Sequence, residues 1–113
     1  MQKTNITFEQ LYAPDIRFCN IVSATDILKN PKKEPSEDNP VKAYHLVVDT
    51  GFDTRDIVTN IVDKFSKEDL IGKCIPFVLN LEPSEIRGVL SKGMIVMAGD
   101  NLLSGGSVGD KIL

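Results

Sequence analysis

Short apolar segments with strand-type residues recur along the chain and are separated by turn signals. In the first, residues 15–24, Ile16 and Phe18 are followed by Ile21 and Val22, a pattern typical of a strand with a bulge. Further segments of strand length follow at residues 42–50, 56–62, 74–81 and 93–98. The pattern therefore predicts five strands, with a hairpin turn at residues 49–53 between the second and the third.

Two short helices are predicted from their capping residues. Thr7 and Gln10 have the spacing of a capping box, which indicates a helix over residues 8–13. Ser66 is an N-cap residue followed by acidic side chains, and Gly72 has the position of a C-terminal glycine. One helix thus precedes the first strand, and a single-turn helix lies between the third and fourth strands.

Proline marks a loop and weakens one strand. Residues 29–40 contain three of the six prolines, and three lysines balance three acidic residues, so the segment is predicted to be an exposed loop. Pro76 lies inside the fourth strand segment, where it has no N–H to donate. The position of Pro76 therefore favours an edge or a bulge.

The composition is that of one globular domain. The chain has 113 residues, 42% of them hydrophobic and 26% charged. No apolar run is long enough for a membrane span, and the N-terminal residues lack the apolar region of a signal peptide. A cytoplasmic protein without membrane association is expected.

The net charge and the reactive residues limit the classes of function that the chain can have. The net charge of −3 disfavours strong nonspecific binding to a phosphate backbone, so any nucleic-acid site has to be a local patch. Cys19 and Cys74 lack metal-site spacing and are interpreted as buried thiols, and His45 as an exposed strand residue. Without paired carboxylates, a nucleophile motif or a phosphate loop, we expect no catalysis, metal or cofactor.

Five closely spaced strands with a small helix between the third and fourth are typical of an OB-fold, a five-stranded Greek-key barrel, in an all-β protein. Composition alone also allows another small barrel.

Residues 80–98 (NLEPSEIRGVLSKGMIVMA) resemble the tRNA-binding-domain family, in which Asn-Leu-x-Pro precedes Arg-Gly, a spaced Ser and Gly-Met. Further matches follow the family's order at residues 15–17, 42–51, 57–58 and 68–73. They extend the resemblance over residues 8–98.

The resemblance implies an OB barrel that binds tRNA or another structured RNA, as an independent module or as an accessory of an aminoacyl-tRNA synthetase. Similar domains occur as stand-alone bacterial dimers, at the C-terminus of bacterial methionyl-tRNA synthetases and in eukaryotic synthetase cofactors. The CsaA-like export chaperones form a second branch, and they bind unfolded or preprotein segments as homodimers. Residues 43–46 resemble this branch, whereas Arg87-Gly88 and Ser91-x-Gly93-Met94 resemble the tRNA binders.

By match to the family motif, seven residues are carried over as RNA-binding positions. They are Lys42, Tyr44, Asn80, Arg87, Ser91, Lys92 and Met94. Several have a structural alternative: Tyr44 in the core, Asn80 as a turn cap, Lys92 as a solvated strand end, and Arg87 in a salt bridge to a nearby glutamate. Gly88 and Gly93 are interpreted as backbone positions, at a turn or a close approach of strands.

The family pattern and this sequence differ at the predicted patch. Glu82 and Glu85 replace residues that are frequently lysine in the tRNA binders, which should weaken RNA affinity. Residues 29–40 replace a shorter turn and offer a wall for a peptide groove. The whole chain, residues 1–113, is predicted to be one tRNA-binding-type domain, with extensions at 1–14 and 99–113 that contact a partner subunit in a homodimer.

Overall fold

The computed structural model describes residues 2–113; Met1, part of the predicted N-terminal extension, lies outside the described residues. It contains two short helices and nine strands among these residues. They are α1 (Phe8–Tyr12), β1 (Ile16–Leu28), β2 (Val41–Asp49), β3 (Thr54–Thr59), α2 (Lys67–Leu70), β4 (Cys74–Val78), β5 (Ser84–Ile86), β6 (Val89–Ser91), β7 (Met94–Ile95), β8 (Met97–Ala98) and β9 (Asn101–Leu102).

A curled antiparallel sheet of five strands in the order β3-β2-β1-β4-β7 forms the body of the molecule. Strand β1 is long enough to pair with β4 through its first half and with β2 through its second half. The register of β1 with β2 shifts between Ile21 and Ser23, which is the predicted bulge. The Lys92 N–H donates to the Asp56 carbonyl at 2.9 Å, which links the β7 end of the sheet back to β3. The predicted all-β OB-fold is confirmed.

Both predicted helices are present with their caps. The side chains of Thr7 and Ser66 accept hydrogen bonds from the N–H groups of Gln10 and Asp69, the third residues of the two helices. In each box the side chain of that third residue accepts a hydrogen bond from the N–H of the cap residue. Helix α2 buries Leu70 in the hydrophobic core. No side chain of α1 is buried.

The core consists of the inward-facing residues of the sheet. Completely buried members include Cys19, Ile21, Leu46, Val48, Ile57, Ile75 and Phe77. Alternation along β2 directs Leu46 and Val48 inward, as expected for a strand with one face on the core. Cys19 is buried, Cys74 is half-buried, and both thiols are free.

Pro76 does not lie on an edge strand, which corrects the prediction from its missing N–H. It is buried within β4, which has β1 on one side and β7 on the other. The ladder between β4 and β7 ends at Phe77 paired with Ile95, and the Pro76 carbonyl accepts from the Val96 N–H at 3.0 Å. Proline is therefore tolerated because it lies just past the last paired residue of that ladder.

The hairpin of β5 and β6 was not predicted from the sequence, because its residues lie between the predicted strand segments 74–81 and 93–98. Ile86 pairs with Val89, so Arg87 and Gly88 form a two-residue turn. Their φ angles are 49° and 85°, the left-handed values that a type I′ hairpin turn requires. Gly88 is thus at a turn, as predicted.

The segment after β9 returns to the barrel and lies beside the first half of β1. Phe18 N–H donates to the Asp110 carbonyl, Gly109 N–H to the Phe18 carbonyl and Ile112 N–H to the Ile16 carbonyl, at 2.8–2.9 Å. These bonds occupy the edge of β1 that β2 does not reach. Within residues 2–113, no helix is long and apolar enough to cross a membrane.

Candidate nucleic-acid interface

A cleft of about 800 Å³ opens between the β2–β3 end of the sheet, the β5–β6 hairpin and β7. We call it the hairpin cleft. Four of the seven predicted RNA-binding residues line it: Lys42, Arg87, Ser91 and Met94. They come from two parts of the chain, β2 and residues 87–94, and the fold brings these parts together because the hairpin folds back over the sheet.

Lys42 and Arg87 are the two basic residues of the hairpin cleft. Both are exposed, and the positive φ of Arg87 follows from its place at the tip of the hairpin. One guanidinium nitrogen of Arg87 donates to the Lys29 carbonyl at 2.9 Å. Arg87 therefore ties the hairpin to the start of the 29–40 loop, and no ion pair joins it to Glu82 or Glu85 in the described chain.

Most of the remaining lining of the hairpin cleft is apolar. Met94 is 59% exposed, and Leu81 and Ile86 are exposed to a smaller extent. Ile61 and Met97 contribute further apolar surface from other parts of the wall. The cleft thus offers flexible and branched side chains for nonpolar contact beside two cations.

Glu82 also lines the cleft, whereas Glu85 lies on the exposed hairpin without contributing to the lining. The carboxylate of Glu82 opposes the field of Lys42 and Arg87 for an anionic ligand. The expected weakening by acidic residues therefore has a structural basis at Glu82.

Ser91 is buried and its hydroxyl is used by the fold. It accepts a hydrogen bond from the Val58 N–H at 3.0 Å and donates to the Gly93 carbonyl at 3.3 Å. A Cβ on Gly93 would lie 2.7 Å from the Val78 carbonyl oxygen, so glycine permits the close approach predicted for this position. Ser91 and Gly93 both line the cleft.

Tyr44, Asn80 and Lys92 do not line the cleft. Tyr44 is 6% exposed, and its hydroxyl donates to the Phe65 carbonyl at 2.7 Å, so the ring belongs to the core and is not available for base stacking. Burial raises the pKa of the Tyr44 hydroxyl. The Asn80 side chain accepts from the Asp15 N–H and donates to the Ala13 carbonyl, which anchors the N-terminal segment. Lys92 is exposed beyond the cleft.

His45 has a close acidic neighbour that the sequence interpretation missed. Its Nε2 lies 2.8 Å from Oδ1 of Asp56, because β2 and β3 pair with Leu46 opposite Ile57. His45 is half-buried rather than exposed. No group of three or more His, Cys, Asp or Glu side chains within residues 2–113 has the geometry to hold a metal ion.

A second group of basic and aromatic residues lies at the tip of the β2–β3 hairpin and was also missed. Phe52 is exposed there, with the guanidinium carbons of Arg17 and Arg55 at 5.2 and 5.7 Å from its ring centre. Arg55 donates to the carbonyl of Leu79, the residue that follows β4. Because Arg17 is far from Phe52 and Arg55 in the sequence, only the aromatic residue in a turn signal pointed to this group.

A family model described as "Putative tRNA binding domain" matches residues 29–111. The match includes all seven predicted RNA-binding residues and the whole hairpin cleft.

Two methionine–tRNA ligases illustrate the sequence relatives. The Flavobacterium johnsoniae enzyme is 43% identical over 96 residues, which cover 85% of this chain and 12% of the enzyme. The Methanocaldococcus jannaschii enzyme is 36% identical over 101 residues, covering 89% of this chain and 14% of the enzyme. The chain therefore spans only about an eighth of the length of these relatives.

Two solved structures resemble the whole chain. The CsaA chaperone protein from Picrophilus torridus is 28% identical with a TM-score of 0.77, covering 96% of this chain and 100% of that chain. A protein from Pyrococcus horikoshii described as related to methionyl-tRNA synthetase is 26% identical with a TM-score of 0.78, covering 98% and 100%.

Proposed function

The chain belongs to the tRNA-binding-domain family, and from this premise we propose that its hairpin cleft binds tRNA or another structured RNA without catalysing a reaction. The family is related both to C-terminal domains of methionyl-tRNA synthetases and to CsaA chaperone-like proteins. The cytoplasmic location expected from the sequence belongs to the same proposal.

One observation carries the proposal: four residues chosen by motif converge on a single cleft. Lys42 and Arg87 provide charge for phosphates, and the planar guanidinium of Arg87 suits a bidentate contact. Met94 gives an exposed nonpolar surface for a base or ribose. The overall charge of −3 favours binding at a local basic site, because a protein with net negative charge repels the phosphate backbone as a whole.

Binding of bulk tRNA at two salt concentrations tests the proposal. We expect measurable affinity at low salt that falls steeply as salt is added. Lys42→Ala should weaken binding and flatten the salt slope by about one counterion. Lys32→Ala, which removes a lysine of the 29–40 loop that does not line the cleft, is the matched control. An absence of binding at low salt would exclude the proposal.

Arg87 needs a different variant because it also holds the hairpin to Lys29. Arg87→Lys keeps the charge and loses the fork geometry, so it should weaken tRNA binding while the salt slope stays close to that of the unmodified protein. Thermal unfolding of the same variant checks that the hairpin is still folded. Equal tRNA affinity of the variant would show that binding does not use the fork geometry of Arg87.

Binding of unfolded peptides is a second candidate function, favoured by the apolar lining of the cleft. Leu81, Ile86 and Met94 are exposed on its walls and could receive the nonpolar side chains of an extended segment. Peptide affinity should change little with salt, unlike tRNA affinity. Met94→Gln should weaken peptide binding, and failure of the protein to slow aggregation of an unfolded client would count against this function.

Docking on an aminoacyl-tRNA synthetase is a further part of the proposal, motivated by the methionine–tRNA ligases among the relatives. A titration of purified methionyl-tRNA synthetase with this protein, followed by sedimentation, measures the contact. A shift in the sedimentation of the synthetase supports an accessory role, and independent sedimentation of both proteins argues against it.

A homodimer through the terminal extensions is also proposed. In the N-terminal segment, Ile6, Phe8 and Tyr12 expose 61%, 78% and 57% of their surface, and such adjacent apolar side chains favour burial against a partner. Phe8→Glu should convert the dimer to a monomer in sedimentation experiments, whereas Lys3→Glu should not. A monomer of the unmodified protein at high concentration would contradict the homodimer.

A further inference from the structure

Phe52 is an exposed aromatic residue on a rigid turn. It lies at the tip of the β2–β3 hairpin and is 57% exposed. The buried hydroxyl of Thr50 accepts from the Phe52 and Asp53 N–H groups at 3.3 and 3.0 Å and donates to the Asp53 carboxylate at 2.7 Å. The turn is therefore organised before any ligand arrives, which lowers the entropy cost of using the ring in binding.

Two guanidinium groups lie near the Phe52 ring, and carboxylates hold both. Arg17 and Arg55 are within cation–π range of the ring. The Nε of Arg17 bonds Asp15 at 2.8 Å, and that of Arg55 bonds Asp53 at 3.2 Å. In the described chain the terminal nitrogens of Arg17 form no hydrogen bond, and 30% of the Arg17 side chain is exposed.

The C-terminal segment packs against the turn that carries Phe52. Gly51 has a φ of 96°, and a Cβ built on it would lie 3.2 Å from Cα of Gly109. In the same segment, a Cβ built on Gly106 would overlap the ring of Phe18. None of Arg17, Phe52 and Arg55 lines the hairpin cleft, so the group is a separate surface.

We propose that Phe52, with Arg17 and Arg55, is a stacking platform for an unpaired base of single-stranded RNA. The exposed part of the ring stacks on the base, and the free terminal nitrogens of Arg17 bind the adjacent phosphate. Stacking accepts any base, because every base has a π face. The inference deepens the proposed function, on which it rests for the ligand class, and adds a contact to unpaired nucleotides outside the hairpin cleft.

Duplex and single-stranded RNA probes distinguish binding at the Phe52 surface from binding in the hairpin cleft. Fluorescence anisotropy would compare a labelled short oligouridine with an RNA duplex of equal length. Phe52→Leu should weaken oligouridine binding roughly 5- to 150-fold, the range for loss of one aromatic stacking contact, and leave duplex binding unchanged. Because stacking carries no net charge, the loss should be similar at low and moderate salt.

Matched variants show whether Phe52→Leu acts through the loss of stacking or through a change in the turn. Phe52→Tyr keeps the ring and should retain oligouridine affinity. Val22→Ala trims another apolar side chain, which is 51% exposed and lies outside the hairpin cleft, and should have no effect. Arg17→Gln should weaken oligouridine binding and flatten its salt dependence. Thermal unfolding of each variant checks the hairpin, since a ring that only stiffens the turn would change stability and not affinity.

The outcomes distinguish this inference from the function on which it rests. If the unmodified protein binds neither tRNA nor oligouridine at low salt, RNA binding as a whole is excluded. If it binds tRNA with the Lys42 dependence described above while Phe52→Leu binds oligouridine as the unmodified protein does, the stacking platform alone is overturned.

Discussion

At the residue scale, the hairpin cleft combines cations with one carboxylate that opposes them. Lys42 and Arg87 attract phosphate, and Glu82 lines the same cleft. Arg87 also shows how one side chain serves two purposes, since its hydrogen bond to the Lys29 carbonyl fixes the hairpin while the rest of its guanidinium faces solvent.

Replacement of Glu82 should raise RNA affinity. Glu82→Gln removes the opposing charge with almost no change in size, so tRNA binding should strengthen by a few-fold at low salt and by less as salt screens the cleft. Titrations of tRNA at two salt concentrations measure the effect. Glu37→Gln in the 29–40 loop, outside the cleft, is the control, and equal gains in both variants would indicate a nonspecific effect of net charge.

The Cys19 thiol makes stability depend on alkaline pH. Burial raises its pKa from 9.0 to about 12, so between these values the unfolded chain ionises the thiol while the folded chain keeps it protonated. The thiol therefore has no effect below pH 9, and above it the free energy of unfolding falls by up to about 1.4 kcal/mol per pH unit.

Urea unfolding of the unmodified protein and Cys19→Ala measures this dependence. The stability advantage of the unmodified protein over the variant should shrink from about pH 8 to about pH 10.5. Cys74→Ala, at the half-buried thiol, should show a smaller pH effect. Parallel pH curves for the unmodified protein and Cys19→Ala would contradict the assignment.

At the element scale, local signals were sufficient where an element is stabilised by its own neighbours. The capping boxes at Thr7 and Ser66 and the β2–β3 turn were predicted because each uses hydrogen bonds over three or four residues. The β5–β6 hairpin was missed because Arg87 is an unusual residue for the first position of a type I′ turn. Its conformation is held by the contact to Lys29.

The 29–40 loop is a structured element that depends on Asn39. Its buried amide nitrogen lies 2.9–3.1 Å from the carbonyls of Asn30, Lys33 and Glu34, and its oxygen accepts from the Asn30 N–H at 2.7 Å. The prediction of an exposed loop is confirmed for most of the segment, but its ordering by one buried residue was not foreseen.

Asn39→Ala should open the loop. The lost bonds leave buried polar groups unpaired, at a local cost of about 1–3 kcal/mol, so trypsin should cleave at Lys32 and Lys33 faster than in the unmodified protein. Mass spectrometry of a digestion time course identifies the sites. Asp38→Asn, at an exposed neighbour, should digest at the original rate, and equal rates for both variants would show that Asn39 does not order the loop.

At the scale of the whole molecule, the C-terminal segment protects the free edge of β1. A Cβ on Gly106 would lie 2.3 Å from the Phe18 ring, so Gly106→Ala should displace the segment. Amide exchange at Phe18, Gly109 and Ile112 should then accelerate, and the exposed edge should promote self-association. Exchange measured by NMR tests this, with Ser104→Ala as the control, and unchanged exchange would mean that the contact relaxes without release.

The sequence by itself determined the strands of the five-stranded sheet, the helix caps, the family and the basic residues of the hairpin cleft, because these depend on alternation, turn chemistry and motif order. The tertiary structure decided which of these residues meet. It placed Tyr44 in the core, joined Arg87 to a carbonyl 58 residues away, and assembled Arg17, Phe52 and Arg55 around one hairpin tip. Such contacts depend on strand register and on how a hairpin folds over the sheet, which no local pattern encodes.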